Sequence, residues 1–468
     1  MEQYDFGIIG LGVMGRNLLL NVADHGFAAA GLDLDGEKVT ALKNEAAEDH
    51  KINGYTAVEE FAASLRRPRA VMLLVPAGKA VDAAISSLLP HLDEGDIVVD
   101  GGNTFFEDTD RRVKELAQKG IHFFGMGVSG GEKGARFGPS MMPGGDQQAY
   151  ERLKPIFESI AAKVDGQPCV TYLGKGSAGH YVKMVHNGIE YGIMQLISEV
   201  YDILRRGCGI GNNQLQQVFA DWSESELKSF LIEITAEVLS RKDDVGGKLL
   251  VDVISDVARA KGTGKWTSQN AMNLQAPVPV IDSAVMMRDL SKYKEERLAA
   301  GSLYPPQATG ASSETHDVIA LAKDALYFAM ITAYAQGLAQ LALASKEYAY
   351  GLKLEEVVTI WRGGCIIRAV CLEDFRQAYV RRHDLPNLLL DKEIAGRLGA
   401  LHNRLREFVK LAIDLGIPSS ALSASLAYFD AYRSEVLPTY LIQAQRDYFG
   451  AHRYERTDRE GSFHTEWD

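Results

Sequence analysis

Residues 8–17, IIGLGVMGRN, carry Gly10, Gly12 and Gly15 in the spacing G-x-G-x-x-G. The run YDFGIIG before them has the composition of a buried strand, and RNLLLNVADHG after them has helical apolar spacing. A second strand-like run, FAAAGLDL, then ends near Asp33. The three glycines act differently. Gly10 makes the tight turn, Gly12 lets a pyrophosphate approach backbone N–H groups, and Gly15 lets the helix lie against the strand. With strand, helix and terminal acid in place, the pattern predicts a dinucleotide site on a Rossmann-type sheet. A carboxylate at position 33 hydrogen-bonds both ribose hydroxyls of NAD and repels a 2′-phosphate. Leu34 and Asp35 follow without an Arg or Lys to hold that phosphate, and Lys38 lies one turn into the next helix. NAD is favoured over NADP.

Outward from this loop, AVMLLV, DIVVDGG, IHFFGMGV and CVTYLG read as further strands, separated by helical stretches such as AVDAAISSLLPHL and DTDRRVKELAQKG. Strands alternating with helices predict a mostly parallel sheet covered on both faces over residues 1–178. From 179 to 435 strand-like runs give way to long amphipathic stretches, which predict an all-helical substrate and dimerisation domain. Residues 436–468 read as an extended tail. The fold class is thus an α/β Rossmann-type N-terminal domain, a large all-α domain and a C-terminal tail. A second glycine match, Gly174, Gly176 and Gly179, precedes no further strand with a terminal acid, so it reads as a sharp domain junction. Two long helical stretches are each followed by a short one, LQQVFADW and LEEVVTIW, with Leu215 and Trp222 spaced as Leu354 and Trp361 are. This pattern reads as internal duplication, against chance likeness of amphipathic helices.

The chain has 468 residues, 46% of them hydrophobic and 24% charged, and a net charge of −12. That length predicts two or three domains, and the composition is that of a globular protein. The negative charge argues against nucleic acid and anionic membrane surfaces as partners. The N-terminus lacks the pattern of a signal peptide, and no stretch is expected to reach membrane-spanning length. Cys169, Cys208, Cys365 and Cys371 fit neither a zinc site nor a disulfide framework, which places them as reduced thiols in a cytoplasmic protein.

Residues 179–192, GHYVKMVHNGIEYG, begin the first long helix. At roughly 100° per residue, Lys183, Asn187 and Glu190 share one face and His186 lies beside them. A solvated face with i,i+4 support would explain such a stripe. Val182, Met184, Val185, Ile189 and Ile193, however, are apolar enough to bury the rest of the helix, and its start at the sheet's end lets the stripe face a nicotinamide cleft.

Together GLGVMGRN, DGGN, GVSGGEKGARFGPSMMPGG, GHYVKMVHNGIEYG, KGTGKWT and QAQRDYFGAH resemble the 6-phosphogluconate dehydrogenase family along essentially the whole chain. The resemblance implies oxidative decarboxylation of 6-phosphogluconate to ribulose 5-phosphate, with Lys183 as base and then acid toward the C3 oxygen, and Glu190 as the acid that protonates C1. It implies that Asn103, Ser129, Gly130, Gly131, His186 and Asn187 hold the substrate's carboxylate end. Tyr191, Lys261, Thr263 and Arg288 would hold the phosphate. Val13, Met14 and Val75, with Asn103, would join the glycine loop around the dinucleotide. Arg446 and His452 match tail residues that enter the neighbouring subunit's site, implying a homodimer with composite sites, whether or not dimers pair into tetramers. No carboxylate cluster suited to Mg2+ or Mn2+ stands out, so a metal-free route is expected.

The chain departs from the family's pattern in places. Common NADP-dependent members carry Asn-Arg-Thr where Asp33, Leu34 and Asp35 stand, often Ala for Gly12, Lys for Pro76 and Glu for Lys133. Two rival readings remain in view: a 3-hydroxyacid dehydrogenase of the same superfamily, which lacks the KGTGKWT loop and the long second half, and a catalytically silent NAD-binding sensor of sugar phosphates.

Overall fold

A computed structural model of the chain describes residues 3–305 and 315–467. Its sheet comprises β1 (Phe6–Ile9), β2 (Ala29–Leu32), β3 (Ile52–Tyr55), β4 (Ala70–Leu73), β5 (Ile97–Asp100), β6 (His122–Ser129) and β7 (Ser140–Gly145). They lie in the order β3-β2-β1-β4-β5-β6-β7, parallel through β6 and antiparallel at β7. Successive side chains enter opposite layers: Phe6, Ile8, Met72 and Val99 join one apolar cluster, and Ile9, Val71, Leu73 and Val98 the other. Both faces are therefore buried, as continuous apolar strands require.

Two strand expectations need correction. CVTYLG forms no strand; only Val170 pairs, in an isolated bridge to Met141. Its backbone is satisfied elsewhere, Cys169 N donating to Ala162 O and Leu173 N to Pro143 O. The seventh strand is instead SMMPGG, whose Pro143 is tolerated because β7 is an edge strand. INGY, at the opposite edge, also pairs, although only Gly54 is buried in it.

From Ala178 onward the regular structure of the described chain is helical, apart from a short antiparallel pair at Tyr454–Glu455 and Ser462–Phe463. At the centre lie Ala178–Asp202, here termed the junction helix, and Thr315–Glu347. Each leads to a short helix and then another: Asn212–Trp222 and Phe230–Ser240 after the first, Leu354–Trp361 and Leu372–Arg381 after the second. The paired tryptophans Trp222 and Trp361 are both buried. The two halves meet at Ser229 and Ala369, where Phe230 N donates to Arg368 O at 3.0 Å and Val370 N to Lys228 O at 2.9 Å. Two copies of one motif about an approximate twofold axis would make this reciprocal pairing.

The expectation that no stretch reaches membrane-spanning length is also corrected. Asp317–Glu347 is long and apolar enough to cross a membrane, but 72% of its most apolar window is buried inside the protein. A core helix packed on every side has this same all-round hydrophobicity.

Gly174 and Gly176 form the bend into the junction helix, with φ of +143° and +56°. The third glycine of that pattern acts by its lack of bulk: a Cβ on Gly179 would stand 2.3 Å from Met142 O and 2.5 Å from Gly125 O. Likewise a Cβ on Gly144 would meet Gly179 N at 2.2 Å, and one on Gly127 would meet the Lys183 Cβ at 2.3 Å. The helix thus rests directly on β6 and β7.

The tail helix Thr439–Gly450 is held to the last residues through Asp447, which accepts from Arg453 N, the His464 ring, Thr465 N and Trp467 Nε1. Tyr440, Leu441, Ile442, Tyr448 and Phe449 are all exposed.

Ala is worth about 1 kcal/mol more than Gly inside a helix. Gly179→Ala should nonetheless lower the urea midpoint, because overpacking costs roughly 1–3 kcal/mol. A raised midpoint would mean that the helix does not sit on the sheet as described.

Candidate functional site

The carboxyl ends of β1, β4, β5 and β6 carry Gly10, Val75, Asn103 and Ser129 in turn. The strand order reverses between β1 and β4, the topological switch where open α/β sheets bind ligands. Gly10 has φ +100°, and a Cβ there would lie 2.5 Å from Leu74 O. A Cβ on Gly15 would lie 1.8 Å from Gly10 O, so the helix Val13–Asp24 closes onto the turn. At Gly12 an added Cβ meets nothing within 4 Å, and Val13 is half exposed. The mouth is therefore open where a dinucleotide's phosphates would lie, next to Met14, and the residues present fit such a group.

Asp33 does more than its sequence position suggested. Oδ2 accepts from Leu11 N at 2.8 Å, inside the glycine loop, and Oδ1 accepts from Asp35 N at 3.0 Å. Lys38 Nζ stands 3.3 Å from Oδ1. Burial alone would raise its pKa, but the Asp35 and Leu11 N–H groups and the Lys38 ammonium together hold it below the ordinary carboxylate value.

The junction helix supplies the stripe. Lys183 is 5% exposed and Glu190 partly buried, while Val182, Met184, Val185, Ile189 and Ile193 are buried around them. Burial lowers the Lys183 pKa, opposed by Glu190 and Cys365. Burial raises the Glu190 pKa, opposed by Lys183 and Arg288. Both groups are thus drawn toward their neutral forms, the condition for exchanging protons near neutral pH. His186 is fully buried; its Nε2 lies 3.4 Å from Ser129 Oγ and its Nδ1 3.0 Å from Asn187 Oδ1. Burial, reinforced by the Lys183 charge, keeps this ring well below its ordinary pKa, hence neutral.

Asn187 Nδ2 reaches Thr263 Oγ1 at 3.2 Å, joining the stripe to KGTGKWT. Thr263, itself buried, begins the helix Thr263–Asn273 after Gly262 in the left-handed region, and the first N–H groups of a helix have no partner within it. Arg288 lies over the Tyr191 ring at 3.4 Å, and burial lowers its pKa although Tyr191 and Glu190 oppose this. Lys261 is exposed at the loop's edge. Asn103 and Gly131 are exposed on the loops above β5 and β6, and Gly130 packs beneath Gly364 O. Arg446 and His452 do not join these residues within the chain: both are exposed on the tail, Arg446 bonded to Gln443 and His452 against Phe449.

Sequence reading missed the support beneath Asn103. Asp100, fully buried, accepts from Gly102 N at 3.0 Å and Thr104 Oγ1 at 2.7 Å, with Arg112 Nη1 3.5 Å away. His180, one turn before Lys183, meets Thr109 Oγ1 at 2.7 Å. Burial lowers its pKa, against the pull of Asp100. An acid ending a strand just before two glycines was the one available sign; Arg112 and His180 meet it only through tertiary folding.

A family model described as the NAD binding domain of 6-phosphogluconate dehydrogenase matches residues 5–174, and one described as that enzyme's C-terminal domain matches residues 179–467. The chain is 52% identical over 468 residues to the NADP(+)-dependent, decarboxylating 6-phosphogluconate dehydrogenase of Bacillus subtilis (strain 168), covering 100% of both. It is 51% identical over 469 residues to the decarboxylating 6-phosphogluconate dehydrogenase of Lactococcus lactis subsp. lactis (strain IL1403), covering 100% of this chain and 99% of that one. Among solved structures, the 6-phosphogluconate dehydrogenase of Plasmodium falciparum superposes with a TM-score of 0.96 at 46% identity, over 99% of this chain and 100% of that one.

The lowered Lys183 pKa has a consequence for stability. Between its folded value and the 10.5 of an ordinary lysine, the unfolded chain binds the extra proton, so folding is disfavoured there and recovers as pH rises. Lys183→Met should therefore unfold at higher urea than the parent at pH 7, and the gap should narrow toward pH 10. A gap that is absent or widens with pH would contradict the assigned shift.

Proposed function

The chain belongs to the 6-phosphogluconate dehydrogenase family, and on that premise we propose that it converts 6-phospho-D-gluconate to D-ribulose 5-phosphate and CO2, preferring NAD to NADP. The observation that carries this reading is the pair Lys183 and Glu190: a buried lysine and a partly buried glutamate on one helix face, whose pKa values move in opposite directions. Bound dinucleotide supplies the hydride acceptor for C3. Neutral Lys183 takes the C3 hydroxyl proton, and the resulting ammonium stabilises negative charge on the C3 oxygen while CO2 leaves. This leaves Lys183 able to polarise the ketone without a metal. Protonated Glu190 then delivers its proton to C1 of the enediol.

The substrate's carboxylate end is assigned to Asn103, Ser129, Gly130, Gly131, His186 and Asn187. The phosphate is assigned to Tyr191, Lys261, Thr263 and Arg288; the helix N-terminus at Thr263 and the guanidinium over Tyr191 suit a dianion. We divide the chain into a dinucleotide-binding domain over 1–178, a substrate and dimerisation domain over 179–435, and a tail over 436–468 that brings Arg446 and His452 to a second copy's site.

NAD preference rests on Asp33, held ionised and fixed against the glycine loop, and on Leu34, which is 92% exposed and brings no charge to a 2′-phosphate. Lys38 is the nearby cation, and it is already paired with Asp33. The Bacillus subtilis relative is named as NADP(+)-dependent, so this is a point on which the chain is proposed to differ from it.

With 6-phosphogluconate, kcat/KM for NAD should exceed that for NADP by at least tenfold, followed as reduced cofactor with CO2 release. An NADP preference would refute the role given to Asp33, and no turnover with either cofactor would refute the activity. A chain ending at residue 435 should lose turnover alone and regain part of it when mixed with a full-length Lys183→Met chain, whose tail would complete the site that keeps Lys183. Full activity in the truncated chain would rule out the shared site.

A further inference from the structure

The phosphate loop and the nicotinamide loop belong to different parts of the chain, yet one aromatic contact joins them. Trp266, on the first turn of Thr263–Asn273, lies against Gly262: a Cβ on that glycine would be 3.6 Å from the indole. The other side of Trp266 meets Phe105, with ring centroids 5.2 Å apart. Phe105 follows Asn103 by two residues and stacks edge-on with Phe106 at 4.9 Å.

A second tie backs the first. Asn270, one turn beyond Trp266, accepts from Tyr181 OH and donates to Tyr348 OH at 2.8 Å, and both tyrosine rings pack on Phe106. On its other side the Asn103 loop is anchored by Asp100 through Gly102 N and Thr104 Oγ1. Asn103 is therefore held between a fixed carboxylate and an aromatic pair, and that pair touches the phosphate loop.

Binding energy from a remote group speeds a reaction only when it improves alignment at the reacting atoms. We infer that the Trp266–Phe105 contact carries occupancy of the phosphate subsite to the loop presenting Asn103, which makes Trp266 a positioning residue for hydride transfer. The inference rests on the functional reading above, since it needs a phosphorylated substrate spanning both loops. Neither ring touches the reacting carbon in this scheme. Their effect is on alignment, where a displacement of about 1 Å can cost on the order of a hundredfold in rate.

The test compares the parent with Trp266→Leu, Trp266→Phe and Phe105→Leu, using 6-phosphogluconate and NAD. The rate of NADH formation in a single turnover at saturating substrate should fall about tenfold in both leucine variants. KM for 6-phosphogluconate should stay within about twofold, and 3-deuterated substrate should slow the same step further. Trp266→Phe, which keeps a ring at the contact, should recover most of the rate. A hydride step within twofold of the parent's in Trp266→Leu would overturn the inference, as would a loss confined to KM. Should Trp266→Leu fail to fold, Phe105→Leu breaks the same contact from the other side and decides by the same readings. Turnover by the parent enzyme tests the functional reading separately, before any variant is compared.

Discussion

How closely the junction helix approaches the sheet is set by atoms that are missing. Gly125, Gly127, Gly144 and Gly179 leave no Cβ between the helix and the strands β6 and β7, and a Cβ at any of them would meet its neighbour at 2.5 Å or less. The Lys183 stem consequently lies against Gly127, and the His180 ring against Gly125. A helix laid on a sheet through ordinary side chains would sit several ångströms further out, and Lys183 would be solvated. The lysine's burial, its lowered pKa and its alignment with the carboxyl ends of the parallel strands all follow from this one contact.

Burial then acts on every ionisable group of the stripe. It pushes Lys183 down, Glu190 up and His186 down, while the charges on Lys183, Glu190 and Arg288 partly offset one another. A charged lysine and a charged glutamate in this cleft would each need hydration that the surrounding apolar residues deny, and neutral forms need less. The helix-on-sheet contact thus supplies an electrostatic condition as well as a position. His186, neutral beneath Ser129, can accept or donate a hydrogen bond without adding a third charge.

Much of this is legible in the amino-acid sequence alone. The glycine loop, the alternation of strand and helix and the stripe at 183, 187 and 190 are local patterns, and each maps to one element. What escapes depends on partners distant in sequence. SMMPGG has poor strand character, yet it pairs because β6 offers an edge and the junction helix needs its glycines. CVTYLG has good strand character but meets β7 in a single bridge and two flanking hydrogen bonds, while Cys169 N turns away to Ala162 O. Asp100, Arg112 and His180 come from a strand and two helices and form one cluster only once folded. The central helix Thr315–Glu347 misleads for a related reason, because a window of apolar residues is alike whether lipid or protein covers it.

The tail is likewise organised around one buried carboxylate. Asp447 gathers four donors from residues 453–467, so the end of the helix Thr439–Gly450 is held in one shape rather than left loose. A helix so braced presents Tyr440, Leu441, Ile442, Tyr448 and Phe449 as a fixed apolar surface. Full burial of such side chains is worth about 1.5–3 kcal/mol each. A single chain forgoes that gain, and it leaves Met286, Leu290 and Tyr293 of the helical domain exposed as well. A second copy of the chain is the occupant we propose for both surfaces, since one association would bury the apolar rings and bring Arg446 and His452 to the other copy's Lys183 helix.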